Sequence, residues 1–211
     1  MIEKYSFRGS ENTGFYTVAT NSYVIVPPGY EEAGFFGQEV VESKVGKTSL
    51  VGLFAAGNSN GVLLPRELSG IERENFEASD VEFHVVDSSF NAFGNLVLCN
   101  DSGALISEKL SDHREEIEDA LGVKTRVGMI QGLNPGVSAV ANSNGAVIHR
   151  DASEEDALKV KEVLGLEDVD IGTVNMGSPF IGSGAAANDK HLLTGENTTG
   201  PEIGRFDRTM F

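Results

Sequence analysis

Apolar and polar residues alternate most clearly mid-chain, where Val81, Phe83 and Val85 are interleaved with Glu82 and His84. A period of two predicts a half-buried strand, because successive side chains of an extended chain point to opposite faces. Leu96-Val97-Leu98-Cys99 and Ala104-Leu105-Ile106 are apolar runs separated by Asn100-Asp101-Ser102-Gly103. Asn and Gly tolerate positive φ, so these four residues predict a hairpin turn between two strands. The period then lengthens. Leu110, Ile117 and Leu121 share one stripe of a helix from about Asp112 to Leu121, and Gly122 stands just beyond its end.

The same succession returns further on. Ser153-Glu154-Glu155-Asp156 has the form of a capping box, Ala157, Val160 and Leu164 form the buried stripe, and Gly165 is the stop. Ser69 to Glu72 opens a shorter helix in the same way. Tyr30 to Glu42 is a weaker helical stretch, interrupted by Gly34 and Gly37. The C-terminal part predicts no helix, and Arg205 to Phe211 reads as a loose tail.

These elements belong to a repeat. Gly52 leads to Asn58-Ser59-Asn60-Gly61-Val62-Leu63-Leu64, Gly94 to Asn100-Asp101-Ser102-Gly103-Ala104-Leu105-Ile106, and Gly136 to Asn142-Ser143-Asn144-Gly145-Ala146-Val147-Ile148. Weaker copies run from Gly14 to Thr20-Asn21-Ser22-Tyr23 and from Gly182 to Asn188-Asp189-Lys190-His191. The turns follow one another at 38, 42, 42 and 46 residues. A unit this small cannot bury its own apolar face and must stack on neighbours.

The pattern predicts one domain over residues 1–211, built of five strand–hairpin–helix units at about 1–43, 44–79, 80–122, 123–165 and 166–211. Turns are expected at Ser59-Asn60, Asp101-Ser102 and Ser143-Asn144. Closure into a ring removes the end repeats that an open stack must cap. The strand Glu3 to Phe7 is expected to complete the fifth unit. A tryptophan–aspartate propeller shares the period, but this chain has no Trp and places a helix where each blade needs strands.

Charge changes the picture of partners. The chain has 32 Asp plus Glu against 16 Lys plus Arg, a net charge of −16. Phosphate backbones are gripped by clustered Lys and Arg, so direct nucleic-acid binding as the main activity is disfavoured. The acids either meet a basic protein or adapt the surface to a salty cytoplasm. Their scatter along all the repeats favours salt adaptation. No run approaches the roughly 20 apolar residues that span a bilayer, and no leader pattern opens the chain. A soluble, cytoplasmic protein that is not exported is expected, and the single cysteine, Cys99, fits a reducing compartment.

A catalytic set is not assembled by the sequence. The Asn-x-Asn-Gly loops invite a calcium reading, yet the first ligand position would be Ala56, Leu98 or Val140. Cys99 takes the place of Gly57, Ala141 and Ala187 in sister repeats, which marks a small buried residue rather than a nucleophile. His84, His113, His149 and His191 fall in different repeats with no metal-ligand spacing. No cofactor or metal is expected. The expectation is a surface-presenting protein, not an enzyme. Phe15, Leu53, Asn95, Val137 and Ser183, each just after a repeat glycine, should occupy equivalent places around the axis and are the candidate partner-binding residues.

Gly57-Asn58-Ser59-Asn60-Gly61-Val62-Leu63-Leu64-Pro65, Gly94-Asn95-Leu96-Val97-Leu98-Cys99-Asn100-Asp101, Gly172-Thr173-Val174-Asn175-Met176-Gly177-Ser178 and Thr198-Thr199-Gly200-Pro201-Glu202 resemble, in order and spacing, the translation initiation factor 6 family of ribosome anti-association factors in its archaeal form. The resemblance implies an α/β pentein, five quasi-identical units around a pseudo-fivefold axis. It implies a monomer that binds the large ribosomal subunit and blocks joining of the small one, with a further part in large-subunit biogenesis. The partner would be mainly a ribosomal protein of the intersubunit face near the sarcin–ricin loop, with little direct nucleic-acid contact and no membrane. Carried over by residue, the docking surface includes Leu53, Asn95 and the segment Ala186-Ala187-Asn188; Leu53 stands where many relatives are expected to carry a basic residue. The chain stops at Phe211, so regulation through a eukaryotic-type C-terminal extension is not expected. Two alternatives come with the fold: a guanidine-modifying pentein enzyme, which needs a nucleophilic Cys near the C-terminus, and a ring scaffold for another protein.

Overall fold

The computed structural model describes residues 1–211, and its strands fall into five separate three-stranded sheets. Each hairpin forms where the Asn-rich turns predict it. Ala56–Asn58 pairs antiparallel with Gly61–Pro65, Val97–Cys99 with Gly103–Ile106, and Ala139–Ala141 with Gly145–His149. In units 1 and 5 the hairpins are Val18–Ala19 with Tyr23–Val26 and Ala185–Ala187 with Leu192–Thr194.

The third strand of each sheet differs from the expected order. Phe83–Val86 does not open the third unit; it lies parallel to Gly61–Pro65, with Phe83 opposite Val62 and Val85 opposite Leu64. A hairpin strand, a helix and a parallel strand form a βαβ crossover, so the strand after each helix closes the sheet before it. Unit by unit the order is hairpin, helix, strand. In the fifth unit the closing strand is the N-terminal Ile2–Lys4, parallel to Leu192–Thr194 with Ile2 opposite Leu192. The seam is therefore where it is expected, on a strand of three residues rather than Glu3 to Phe7.

Helices correct the sequence reading at three places. The fifth unit does have one, Gly200–Met210, capped by a Thr199–Glu202 capping box with Phe206 and Met210 in the core; residues 205–211 are no loose tail, because that box starts a helix whose apolar stripe is buried. The first unit has a six-residue 3-10 helix, Glu31–Phe36, ended by Gly37 at φ 69°. The third-unit helix begins at Arg114, after a 3-10 stretch Glu108–His113. Gly70–Glu77 and Glu154–Leu164 carry the capping boxes at Ser69 and Ser153 that the sequence predicts.

The core consists of five wedges between units, which is what a repeat unable to bury its own face requires. Leu63 and Ala56 of the second sheet pack with Phe93, Ile106, Leu110, Ile117 and Leu121 of the third unit. Leu98 and Leu105 pack likewise with Val160 and Leu164, and Val140 and Val147 with Phe206 and Met210. The wedge between units 5 and 1 is richer in aromatics, with Phe7, Tyr30 and Phe36 against Leu193, because a short 3-10 helix leaves more space to fill.

The same difference explains a residue choice at the turns. A β-carbon at Gly61, Gly103 or Gly145 would run into Ala120, Val163 or Thr209, backbone at the end of the next unit's helix. The equivalent position in unit 5 faces the shorter 3-10 helix, and there His191 packs its ring on Phe35 at 4.9 Å.

Closure of the ring is written in glycine. Before each hairpin the chain makes a single helical turn: Thr13–Phe15, Val51–Phe54, Phe93–Leu96, Pro135–Ser138 and Ile181–Gly184. A β-carbon on Gly52 would collide with the carbonyl of Gly14, one on Gly94 with Gly52, on Gly136 with Gly94, on Gly182 with Gly136, and on Gly14 with Gly182. Five backbones thus touch in a closed circuit around the axis. Turns of three or four residues containing glycine have no apolar period, so the sequence pattern does not predict them.

Candidate docking face

The two ends of the axis have opposite chemistry. Hairpin tips and helix C-termini gather at one end. There Asn58 donates from its carboxamide to the carbonyls of Asn100 (3.1 Å) and Leu121 (2.9 Å), while its Oδ1 accepts from the N–H groups of Asn60 and Gly61. Asn100 repeats this toward Asn142 and Leu164, Asn142 toward Asn188 and Met210, and Asn188 toward Thr20 and Phe36. Each amide fixes its own turn and satisfies a carbonyl left open at the end of the next unit's helix. Asn21 reaches across the end and donates to both Asp101 and Asp189, 3.0 Å each. These side chains are spent on the fold.

Between the ends lies an axial cavity of about 100 Å³ walled by small residues, among them Ala55, Ala139, Val140, Ala186 and Cys99. Cys99 donates to the carbonyl of Gly57 at 3.2 Å. Burial, with the charge of Asp101, pushes its thiol up to about 12, so no thiolate nucleophile is available near neutral pH. The histidines are dispersed: His84 lies in the third strand of unit 2, His113 at a helix start, His149 at a strand end and His191 against Phe35.

The glycine end carries the single-turn helices and the loops leading into them. Charged residues make up 23% of the chain. Yet across segments 8–16, 46–54, 87–96, 131–138 and 176–184 the only ones are Arg8, Glu11, Lys47 and Asp87. Glu11 accepts from the N–H of Asn197 and Asp87 pairs with Arg66. Phe90 and Phe180, each 44% exposed, and Met176, 74% exposed, stand out of this surface. Depletion of charge with retention of aromatic and Met side chains is the compositional mark of an interface core.

Tight turns shape that end. Arg8, Lys47, Gln131, Asn175 and Met176 have φ between 51 and 65°. Glu72 accepts from Lys47 N–H, Asp156 from Gln131 N–H, and Glu202 from the N–H groups of Met176 and Gly177. Burial alone would raise the Asp156 carboxyl, but Lys159 and the Ser153 and Gln131 N–H groups hold it below the usual range. Glu202 is lowered likewise: burial opposes, and Thr199, Thr173 and Gly177 outweigh it.

The structure brings four of the expected site residues, Phe15, Leu53, Asn95 and Val137, half-buried to the glycine end. Ser183 is there but buried, its hydroxyl donating to the Phe180 carbonyl at 2.7 Å. Ala186, Ala187 and Asn188 do not reach the surface. Ala186 walls the cavity, Ala187 packs in the wedge with Phe206, and the Asn188 amide is spent on Thr20 and Phe36. Phe90, Lys47, Gln131, Met176 and Phe180 share this end and are not among the residues expected from the sequence. The signal that finds them, five charge-poor segments in an acidic chain, is legible in the sequence only once the topology gathers the segments.

A closed ring of five α/β units around a pseudo-fivefold axis, with small residues lining the centre, defines the pentein class. The chain belongs to the eIF-6 family, whose family model matches residues 2–209. Similar proteins bear the name translation initiation factor 6 in Saccharolobus islandicus (36% identical, over 99% of this chain and 98% of the relative), in Staphylothermus marinus (37%, over 99% and 97%) and in Pyrococcus abyssi (34%, over 99% and 98%).

Proposed function

We propose that this chain is a non-enzymatic ribosome anti-association factor that docks the glycine end of its ring on the large ribosomal subunit and so keeps the small subunit from joining. Its partner there is a ribosomal protein of the intersubunit face, and the factor works in the cytoplasm. The observation that carries this reading is the charge-poor end around Asn95, Phe90 and Phe180 in a chain of the eIF-6 family. No helix is long and apolar enough to cross a membrane.

The test is co-sedimentation of the purified chain with large subunits, followed by addition of small subunits and sucrose-gradient separation. Pelleting of the chain and loss of the joined ribosome peak are expected. Asn95→Arg should weaken pelleting by about tenfold, the effect of one well-placed interface residue, with Tm within a few degrees of wild type. A folded wild type that neither pellets nor blocks joining defeats the reading.

A further inference from the structure

Three of the left-handed turns at the glycine end are built alike. Lys47, Gln131 and Met176 have φ of 65, 53 and 62°. Each donates its N–H to a buried acid at the third position of a helix: Lys47 to Glu72 at 2.7 Å, Gln131 to Asp156 at 3.1 Å and Met176 to Glu202 at 3.3 Å. What the fold draws from these residues is a left-handed backbone and one N–H. Glycine supplies both without the clash that an L side chain meets in this region.

The side chains do nothing comparable for the fold. All three residues are exposed, and their side chains make no hydrogen bond or ion pair within the chain. Arg8, in the equivalent turn of unit 1, is different: its guanidinium lies over the Phe7 ring at 4.8 Å. Strained residues held by over-determined surroundings collect where a protein meets its ligand.

We infer that Lys47, Gln131 and Met176 are contact residues, three points around the glycine end through which the chain grips a protein surface. This rests on the reading that the same end docks on the large subunit. The occupant is protein rather than RNA, since the three anchors carry one positive charge between them, whereas a phosphate backbone is held by clustered Lys and Arg. Met176 offers a flexible thioether to an apolar recess, beside the exposed Phe180. Lys47 calls for a carboxylate on the partner.

The experiment uses Lys47→Gly, Gln131→Gly and Met176→Gly, singly and together, because glycine keeps each N–H and removes only the side chain. Tm of each is expected to stay or to rise by about 2–4 °C, the shift per unit of relieved strain in a chain this size. Large-subunit binding of the triple variant, measured by co-sedimentation at fixed KCl, is expected to weaken about tenfold or more. A Tm lowered by several degrees, or an unchanged affinity, overturns the inference. A loss confined to Lys47→Gly, with Gln131→Gly and Met176→Gly binding as wild type, reduces the grip to a single charge contact and overturns the three-point assignment. Wild type that fails to pellet defeats the docking reading and this inference with it; wild type and variants pelleting alike defeats only this one.

Discussion

Gly94 rests directly on the carbonyl of Gly52, so closely that a β-carbon on Gly94 would overlap that oxygen. The contact is one of five in a closed circuit, and backbone on both sides leaves nothing flexible to give way. Gly94→Ala is therefore expected to destabilise the ring by about 3 kcal/mol, at the upper end for overpacking. Gly204 lies in the Gly200–Met210 helix with nothing within reach of a β-carbon, and Gly204→Ala should stabilise by about 1 kcal/mol. Denaturant melts of the two variants check both signs.

The asparagine ladder predicts a charge-sensitive junction. Asn100→Asp would replace two donated hydrogen bonds with a carboxylate facing the carbonyls of Asn142 and Leu164, at a helix C-terminus. A cost of about 3 kcal/mol at pH 7 is expected. The cost should shrink near pH 4, where the new carboxyl protonates and donates again. Equal destabilisation at both pH values would contradict this.

Acid should unfold the protein in two stages. His191 is held below the ordinary histidine range, first by burial and then by the nearby N-terminal charge. The unfolded chain therefore takes the proton first, and stability starts to fall as pH drops below about 6.5. The Asp156 and Glu202 carboxyls are lowered too. Their contribution is complete above about pH 5 and is lost as pH falls past the unfolded value near 4 and through the folded values. His191→Phe should flatten the first stage alone, and Glu202→Gln should reduce the second, read as Tm against pH.

A net charge of −16 makes self-repulsion a standing term against compaction. Raising KCl shortens its range, to about 3 Å at 1 M, and also strengthens apolar burial. Tm should rise by several degrees between low and molar salt. An unchanged or lower Tm would favour acids kept for a basic partner.

Much of the ring was legible because its signals are periodic. The hairpins at Asn58, Asn100 and Asn142 and the capping boxes at Ser69 and Ser153 repeat at near-constant spacing, and closure followed from stacking alone. What escaped is non-periodic or non-local. Alternation at Val81 to Val85 identifies a strand but cannot say which hairpin it joins. Thr199-x-x-Glu202 has the form of a capping box, but two glycines, Gly200 within it and Gly204 beyond it, weaken the helical signal. The candidate face was half legible: the residues after each glycine gather as expected, whereas Ala186, Ala187 and Asn188 are turned inward by packing that no spacing reveals.

The pairing of Ile2 with Leu192 also sets an order of events during synthesis. The strand Ile2–Lys4 has its partner in the fifth unit, Leu192–Thr194, and the four units between them must emerge before the two can meet. Bridging a separation of that length is slow because the loop entropy must be overcome before any contact rewards it. Units 1, 2, 3 and 4 can assemble their sheets as they appear, each from consecutive chain. The fifth sheet cannot, and until it forms Gly14 has no Gly182 to rest on, so the circuit of backbones around the axis is the last thing the molecule acquires.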